Sequence, residues 1–478
     1  MKRPLFLLTS AAVLFAATLF CLPMLSETVW TAVLIVILIL IITAGVFRAF
    51  LTGAVALMLL LVAVPSALYQ HNVRTVKDVA GDIFVSAVVA ETEYNETEVK
   101  YLLKCNEVNG RRCRLSLYAV ADEGIGLSYG DRVSMSLRID SVDTKISRSR
   151  GVCATADVVR LYDWEAASGF YKTVADIRSF ITGRLFSSVG YDSAAMLAGI
   201  LLGNRSFMSA ETYENVKTAG VSHVTVVSGL HLSILAGSLL ALLKKYRING
   251  LPYALLGLGT VIGIIVLSGF TPSVIRAGLT WIFVFAGILF YRRTDALNSL
   301  LLAVLLCVLA EPHIIGSLSF QLSAVSTFAV IVAALRVYRQ FPEKGIMLSL
   351  LLSAASVTLS ATVFTMPFLL ATYASFSTFA VFSNLLITYA VTAALTLAAL
   401  GVALTALPFI SNAIMFLCDL VTRYIIFIIN LPGQIPYAFI ELQNPTVAAA
   451  ISVFAALALG IYFFKYHDEG VSPLGNSA

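Results

Sequence analysis

Hydrophobic residues fill most of this chain in runs long enough to cross a membrane, and one polar stretch interrupts them. A run of roughly 18 apolar residues is enough to cross a hydrocarbon core of about 30 Å. Three such runs open the chain, near residues 5–23, 29–47 and 50–68. The later runs lie near 221–245, 250–268, 272–291, 296–311, 315–337, 347–372, 378–404, 410–430 and 445–465. We therefore predict about twelve crossings, and the short apolar piece at 194–203 could be re-entrant.

Residues 70–165 follow a different pattern, because apolar and polar residues alternate along "DIFVSAVVAETEY" and "RCRLSLYAV". This alternation is typical of strands, and Asn109-Gly110 and Gly130-Asp131 are turn signals. We predict a small all-β barrel of about five strands, for which an OB-type barrel is one solution. The fold class is thus a mainly α-helical polytopic membrane protein with a small OB-like domain. The predicted parts are 1–69 membrane helices, 70–165 β domain, 166–190 amphipathic linker helix on the membrane surface, 191–465 membrane domain and 466–478 tail.

Composition and charge agree with this plan and orient it. Hydrophobic residues make up 59% of the chain and charged residues 12%, against about 25% charged in average soluble domains. Lysine and arginine concentrate at the cytoplasmic ends of membrane helices. The basic residues at predicted ends are Lys2, Arg3, Arg48, Lys244, Lys245, Arg247, Arg292, Arg293, Arg336, Arg339 and Lys465. They place both termini in the cytoplasm and the β domain outside. The first run lacks a clear cleavage site, so we interpret it as a retained helix, with a cleaved signal peptide as the alternative.

The cysteines divide between the two environments. Cys21, Cys307 and Cys418 lie in apolar runs, where cysteine behaves as a small hydrophobic residue. The β domain contains Cys105, Cys113 and Cys153, and an outside location permits oxidation. At most one disulfide can form among these three, and the spacing leaves the pairing open.

Polar residues inside apolar runs are the candidates for function, because ionisable groups in a bilayer are costly. The first cluster contains His223, Ser228, Gly229 and His231. The two histidines are eight residues apart, so on one ideal helix they would point about 80° apart, which is poor geometry for one metal ion. Helix packing with satisfied imidazoles is the structural alternative. The Ser228-Gly229 pair could break the helix.

Three further polar residues lie in predicted spans. Arg276 follows Pro272, and arginine is the preferred partner of phosphate, although snorkelling to a nearby membrane face is the alternative. Gln321 and Asn384 carry amides that need partners when buried. Together these residues could face one shared interior, which would suit a pathway for something hydrophilic.

The sequence contains neither a Walker-type phosphate loop nor an HExxH zinc motif. Ser228 and His231 lie on one predicted helix, which gives no base at attack geometry. We therefore predict no enzyme activity and no cofactor. A membrane-embedded enzyme that uses His223 and His231 as acid and base is a weaker alternative.

The stretch "LAGILLGNRSFMSAETYENVKTAGVSHVTVVSGLHLSILAG" resembles the signature of the ComEC family of competence proteins. The matching residues are Gly220, Ser222, His223, Ser228, Gly229, Leu230 and His231. Later stretches, including "PSVIRAGL", "SFQLSAVSTF" and "ASFSTFAVFSNLLITY", are similar to further blocks of the same domain. The resemblance covers residues 190–400.

This resemblance implies a channel in the bacterial cytoplasmic membrane that carries single-stranded DNA inward during natural transformation, with an outer OB domain. Longer members carry a C-terminal metallo-β-lactamase-like domain, whereas "KYHDEGVSPLGNSA" has no histidine-rich metal motif, so no nuclease activity is expected. A separate DNA receptor and a cytoplasmic ATPase are the expected partners, and the channel could be a homo-oligomer. A transporter of another polar solute or polymer on the same fold is the alternative.

DNA as cargo calls for cations or hydrogen-bond donors near its phosphates and a wet lining. The candidates for that lining are His223, Ser228, Gly229, His231, Arg276, Gln321 and Asn384. In the β domain, the candidates for DNA binding are Lys104, Arg111, Arg112 and Arg114, around one predicted hairpin. An ordinary solvated edge is the alternative, because acidic residues are also frequent in this domain.

Overall fold

The computed structural model divides into two compact units, which are described separately. The structure describes residues 9, 12–17, 37, 50–77, 82–94, 98–121, 125–127, 129–142, 144, 150–225, 227–248, 250–292, 294–334, 346–373, 375–435 and 439–441. The first unit contains Met1–Ser187, Leu202–Ser206 and Ala236–Phe320, and the second contains Ser188–Leu201, Phe207–Leu235 and Gln321–Ala478. The predicted spans near 5–23 and 29–47 lie largely outside the described residues. So do the span near 445–465, the tail, Arg293, Arg336, Arg339 and Lys465.

The described chain begins with a helix and a block of five strands, and most of the remaining elements are helices. The first block is α1 (Phe50–Lys77), β1 (Asp82–Tyr94), β2 (Val99–Val108), β3 (Arg111–Ala121), β4 (Arg132–Val142) and β5 (Val152–Glu165). Helices follow as α2 (Gly169–Ser188), α3 (Tyr191–Leu202), α4 (Ala210–Thr218), α5 (Gly229–Lys245), α6 (Leu251–Leu267), α7 (Pro272–Leu289) and α8 (Ala296–Ala310). After the 3₁₀ turn Pro312–Gly316 come α9 (Leu318–Ala329), the π-helical turn Val330–Ala334, α10 (Ile346–Tyr373), β6 (Ser375–Ser377), α11 (Ala380–Ala403), α12 (Pro408–Asn430), the 3₁₀ turn Pro432–Gln434 and β7 (Phe439–Glu441).

The five strands of the first unit close into a barrel in the order β1-β2-β3-β5-β4. The sheet is mixed, because β3 and β5 pair in parallel whereas the other neighbours are antiparallel. The alternation seen in the sequence places every second side chain inside, and Val85, Tyr101, Leu117 and Met135 are buried in one core. The prediction of a small five-stranded barrel is confirmed.

The hairpin between β2 and β3 turns at the predicted pair. Asn109 and Gly110 have φ angles of 49° and 75°, the left-handed values that a two-residue hairpin turn requires. The Asn109 side chain accepts a hydrogen bond from the Phe84 backbone N–H at 2.8 Å. The turn signal at Gly130-Asp131 is likewise confirmed, because a turn at 129–130 precedes β4. Turn chemistry therefore fixes the register of the barrel strands.

Four helices are long and apolar enough to cross a membrane, by their length and composition among the described residues. These are Pro272–Leu289, Leu352–Leu370 within α10, Ala380–Ala403 and Pro408–Asn430. Shorter apolar helices cover Tyr191–Leu202, Leu251–Leu267, Ala296–Ala310 and Leu318–Ala333. The chain therefore has the features of a membrane protein, while the count of about twelve crossings stays a prediction.

The linker helix predicted at 166–190 forms as α2. The Arg178 guanidinium donates hydrogen bonds to the carbonyl oxygens of Leu267 at 3.0 Å and Leu202 at 3.4 Å, both at the last residue of an apolar helix. It also lies over the Tyr129 ring of the barrel, at 5.9 Å from the ring centroid. A cation at helix C-termini is favourable, because the carbonyls there carry partial negative charge. Arg178 therefore ties the barrel to two helix ends within the first unit.

Candidate functional site

The motif residues of the second unit lie in a loop rather than in a membrane helix. The span predicted at 221–245 begins as a helix only at Gly229, and the described residues before it, 219–225 and 227–228, form no helix or strand between α4 and α5. His223 is therefore not on a helix with His231, and the 80° separation expected from one ideal helix is wrong. The break predicted at Ser228-Gly229 is the point where α5 starts.

Helix α4 holds the beginning of this loop against the end of α12. The Asn215 side-chain amide donates a hydrogen bond to the Asn430 side-chain oxygen at 3.2 Å. The Lys217 ammonium lies 5.4 Å from the centroid of the Phe439 ring in β7. The Ser209 hydroxyl caps α4 by accepting a hydrogen bond from the Thr212 N–H at 3.2 Å. A short polar helix is thus fixed by side-chain contacts at both ends.

Gly220 allows the loop to approach helix α11 closely. Its φ angle is 71°, and a Cβ placed there would lie 2.5 Å from the Cβ of Ala380 and 2.9 Å from the Cβ of Ser377. The Ser377 hydroxyl donates a hydrogen bond to the Thr218 carbonyl at 2.6 Å. Only glycine satisfies both the left-handed backbone and the available space. The motif glycine is therefore explained by packing.

Ser228 and His231 form a reciprocal cap at the start of α5. The Ser228 hydroxyl accepts a hydrogen bond from the His231 backbone N–H, and the His231 Nδ1 accepts one from the Ser228 backbone N–H, both at 3.4 Å. This is the geometry of a capping box, with histidine where glutamate or glutamine is usual. His231 is buried. Each side chain binds the main chain of the other residue, which supports the packing interpretation over a nucleophile–base pair.

The remaining pathway candidates occupy different surroundings. Arg276, in the first turns of α7, is only 3% exposed, so the snorkelling interpretation is wrong for the described structure. His223 is exposed in the loop, and Gln321 on α9 and Asn384 on α11 are half-buried. Arg276 belongs to the first unit and the other three to the second. A shared interior for all of them stays a prediction.

The DNA-binding candidates of the barrel lie on the β2–β3 hairpin. Lys104, Arg111, Arg112 and Arg114 are all exposed. They surround the turn at Asn109-Gly110, as the sequence predicted.

The three barrel cysteines form no disulfide in the structure. Burial raises the pKa of the Cys105 thiol, and Cys113 and Cys153 raise it further. Burial also raises the pKa of Cys113. The predicted disulfide therefore stays a prediction. Among the described residues, no three histidine, cysteine, aspartate or glutamate side chains are arranged as metal ligands.

The sequence analysis missed one charged pair. The Arg423 Nε donates to the Asp419 Oδ2 at 2.8 Å within the apolar helix α12. Two opposite charges four residues apart in a predicted span were the available signal.

The fold and the loop together define a membrane protein with a small closed barrel and a broken helix start. Residues 200–466 match the family model of the competence proteins, and the chain belongs to this family. It is 25% identical over 177 residues to ComE operon protein 3 of Bacillus subtilis (strain 168). That match covers 37% of this chain and 23% of the relative, so it spans less than a quarter of the relative's length. No solved structure gave a significant match.

The close approach at Gly220 predicts a large effect of a single methyl group. In the Gly220→Ala variant, the Cβ would meet Ala380 and Ser377 in a backbone conformation that alanine rarely adopts. We expect a loss of about 2 kcal/mol or more of stability, measured as a lower thermal unfolding midpoint in detergent. Gly237→Ala is the matched control, because a Cβ at Gly237 meets nothing within 4 Å. Equal midpoints for the two variants would contradict the packing role.

The capping box predicts that glutamine can replace His231 whereas alanine cannot. His231→Ala removes the acceptor for the Ser228 N–H and should cost about 1 kcal/mol of stability. Glutamine can return that acceptor, so His231→Gln should keep the wild-type unfolding midpoint. A His231→Gln protein that unfolds at the same lower midpoint as His231→Ala would contradict the capping role.

Proposed function

We propose that this chain is the channel that moves single-stranded DNA across the bacterial cytoplasmic membrane during natural transformation. The observation that carries the proposal is the family match over residues 200–466, which includes the loop at 220–228. The fold supports it, because four helices among the described residues are apolar and long enough to span a membrane, and a small barrel precedes them in the chain. The broken start of α5 supports it further, since irregular backbone within apolar segments is tolerated where it lines a cavity.

The barrel is proposed to be of the OB type and to meet the DNA first. A closed five-stranded barrel with one parallel pair, between β3 and β5, supports this assignment. OB barrels bind strands of nucleic acid on the face of the second and third strands and on nearby loops. Lys104, Arg111, Arg112 and Arg114 are exposed on these strands, where they would contact backbone phosphates.

The barrel is proposed to lie outside the cell and both termini in the cytoplasm, and the distribution of basic residues supports this orientation. Helix α2 is proposed to lie along the outer membrane surface. Its Arg178 binds the last carbonyls of two apolar helices, and Phe170, Ile177 and Phe180 on one of its faces are exposed. Exposed aromatic and aliphatic side chains on one helix face are typical of helices that lie in the headgroup region.

Within the membrane, the residues proposed to meet the cargo are His223, Gln321 and Asn384 in the second unit and, separately, Arg276 in the first. No catalytic step and no cofactor is assigned to the described residues. The energy for transport and the initial capture of DNA are assigned to separate proteins, an ATPase and a receptor.

Deletion of the gene in a naturally competent strain that carries it tests the proposal. We expect labelled DNA still to bind the cell surface, whereas labelled DNA in the cytoplasm and the number of transformants fall to background. The wild-type gene supplied in trans should restore both. Normal transformation in the deletion strain would refute the DNA channel and favour another polar cargo on this fold.

The barrel hairpin predicts a change in salt dependence. The triple variant Arg111→Gln, Arg112→Gln and Arg114→Gln should bind single-stranded DNA more weakly. Its slope of log affinity against log salt should become shallower by about 0.7 for each phosphate that is no longer neutralised, or roughly 2 for the three arginines. Binding would be measured on the purified full-length protein across a salt series. Arg160→Gln, an exposed arginine on β5, is the control and should leave the slope unchanged. An unchanged slope in the triple variant would identify the hairpin as a solvated edge.

A further inference from the structure

An ion pair lies in the middle of a mainly apolar helix of the second unit. Helix α12 covers Pro408–Asn430 and is one of the four candidate spans. Arg423 and Asp419 are paired at 2.8 Å, with side chains that are 67% and 15% exposed. An arginine at the centre of a membrane helix costs about 2.5–3.5 kcal/mol even on the most permissive scale. Pairing with Asp419 lowers this cost but does not explain why most of the Arg423 side chain remains exposed.

Asp419 also holds the start of a half-length helix. Its Oδ1 accepts a hydrogen bond from the Gly190 backbone N–H at 3.2 Å, one residue before α3 begins at Tyr191. Helix α3 has 12 residues, or about 18 Å, which is little more than half of a hydrocarbon core. A carboxylate at a helix N-terminus is favourable, because the free N–H groups there carry partial positive charge. Asp419 therefore fixes both the Arg423 guanidinium and the backbone at the start of α3.

The ion pair belongs to a polar stripe along α12. At 100° per residue, positions 412, 419, 423 and 430 fall within about 40° of one another around the helix. These positions are Asn412, Asp419, Arg423 and Asn430. The neighbouring exposed positions are apolar and include Leu417, Leu420 and Phe427. One edge of the helix thus carries four polar side chains, with the apolar Phe416 and Ile426 on the turns between them, whereas the adjacent surface is suited to lipid.

We infer that this stripe lines a water-filled path and that Arg423 is a contact point for phosphate groups passing along it, with Asp419 as its positioning residue. A guanidinium has five N–H donors and needs only one for Asp419, so the others can face a phosphate. The adjacent carboxylate offsets part of the positive charge. A site on a path for a polyanion needs this balance, because binding must be favourable enough for the polyanion to enter and weak enough for it to leave. The identity of the polyanion rests on the proposed function, but the wet path does not.

Cysteine accessibility tests the path without reference to transport. In a full-length protein whose native cysteines are replaced, single cysteines are introduced and treated in proteoliposomes with a charged, membrane-impermeant thiol reagent. We expect Arg423→Cys to react and Leu420→Cys, 60% exposed in the native protein and one turn away, to stay unmodified. No reaction at position 423, or equal reaction at both positions, would overturn the inference; the first result would fit an interface between two copies of the chain.

A second pair of variants leaves the ion pair intact, in case Arg423→Cys does not fold. Asn412 and Ala413 are adjacent and both exposed, but they point about 100° apart. We expect Asn412→Cys to react faster than Ala413→Cys by at least tenfold. Equal rates would count against a wet stripe even if position 423 could not be tested.

The phosphate contact is tested by protection. In a protein that carries the Asn412→Cys reporter and keeps Arg423, added single-stranded DNA or inorganic polyphosphate should slow the labelling of the reporter cysteine. Arg423→Gln in the same reporter protein should weaken this protection. Protection by polyphosphate but not by DNA would support the Arg423 site while contradicting DNA as the cargo. Labelling that neither anion slows would overturn the phosphate contact.

Discussion

The absence of water inside a bilayer is the constraint on which this structure depends. Every backbone and polar group in the apolar segments must find a partner within the protein or face a wet cavity. Helices meet this demand along their length, and their ends need extra partners. The described helix ends show how it is met: Arg178 binds the last carbonyls of two helices, and Ser228 with His231 caps the start of a third. Asp419 accepts a hydrogen bond from the Gly190 backbone N–H, one residue before α3 begins. These charged and polar side chains therefore serve helix termination.

This constraint changes the meaning of the family motif. Gly220 is required because the loop backbone packs against Ala380 and Ser377, and the serine and histidine of "SGLH" close the first turn of α5. The motif thus builds a stable break in the apolar domain. Ser222 and His223 are exposed members of the same loop.

The barrel and the helical part of the chain differ in what surrounds their side chains. In the barrel, water is available on one side, so alternation of apolar and polar residues suffices to define the strands. In the helical part, apolar residues face both lipid and protein, so composition alone does not show which face is inside. Arg178 connects the barrel to the helices within the first unit, because its guanidinium contacts both the Tyr129 ring of the barrel and helix carbonyls.

The barrel, its hairpin turn, the linker helix and most helix positions could be predicted from the sequence, because period-two alternation, the Asn109-Gly110 signal and long apolar runs are local features. The family could be recognised too, through motifs that stand close together in the chain. The parallel pairing of β3 with β5, the burial of Arg276 and the loop at 220–228 emerged only from the folded chain. These features depend on contacts between residues far apart in sequence, and hydropathy averages over them. The hydrogen bond between Gly190 and Asp419, 229 residues apart, is the clearest case. No local sequence pattern at either residue predicts the contact, and only the tertiary fold brings the two together.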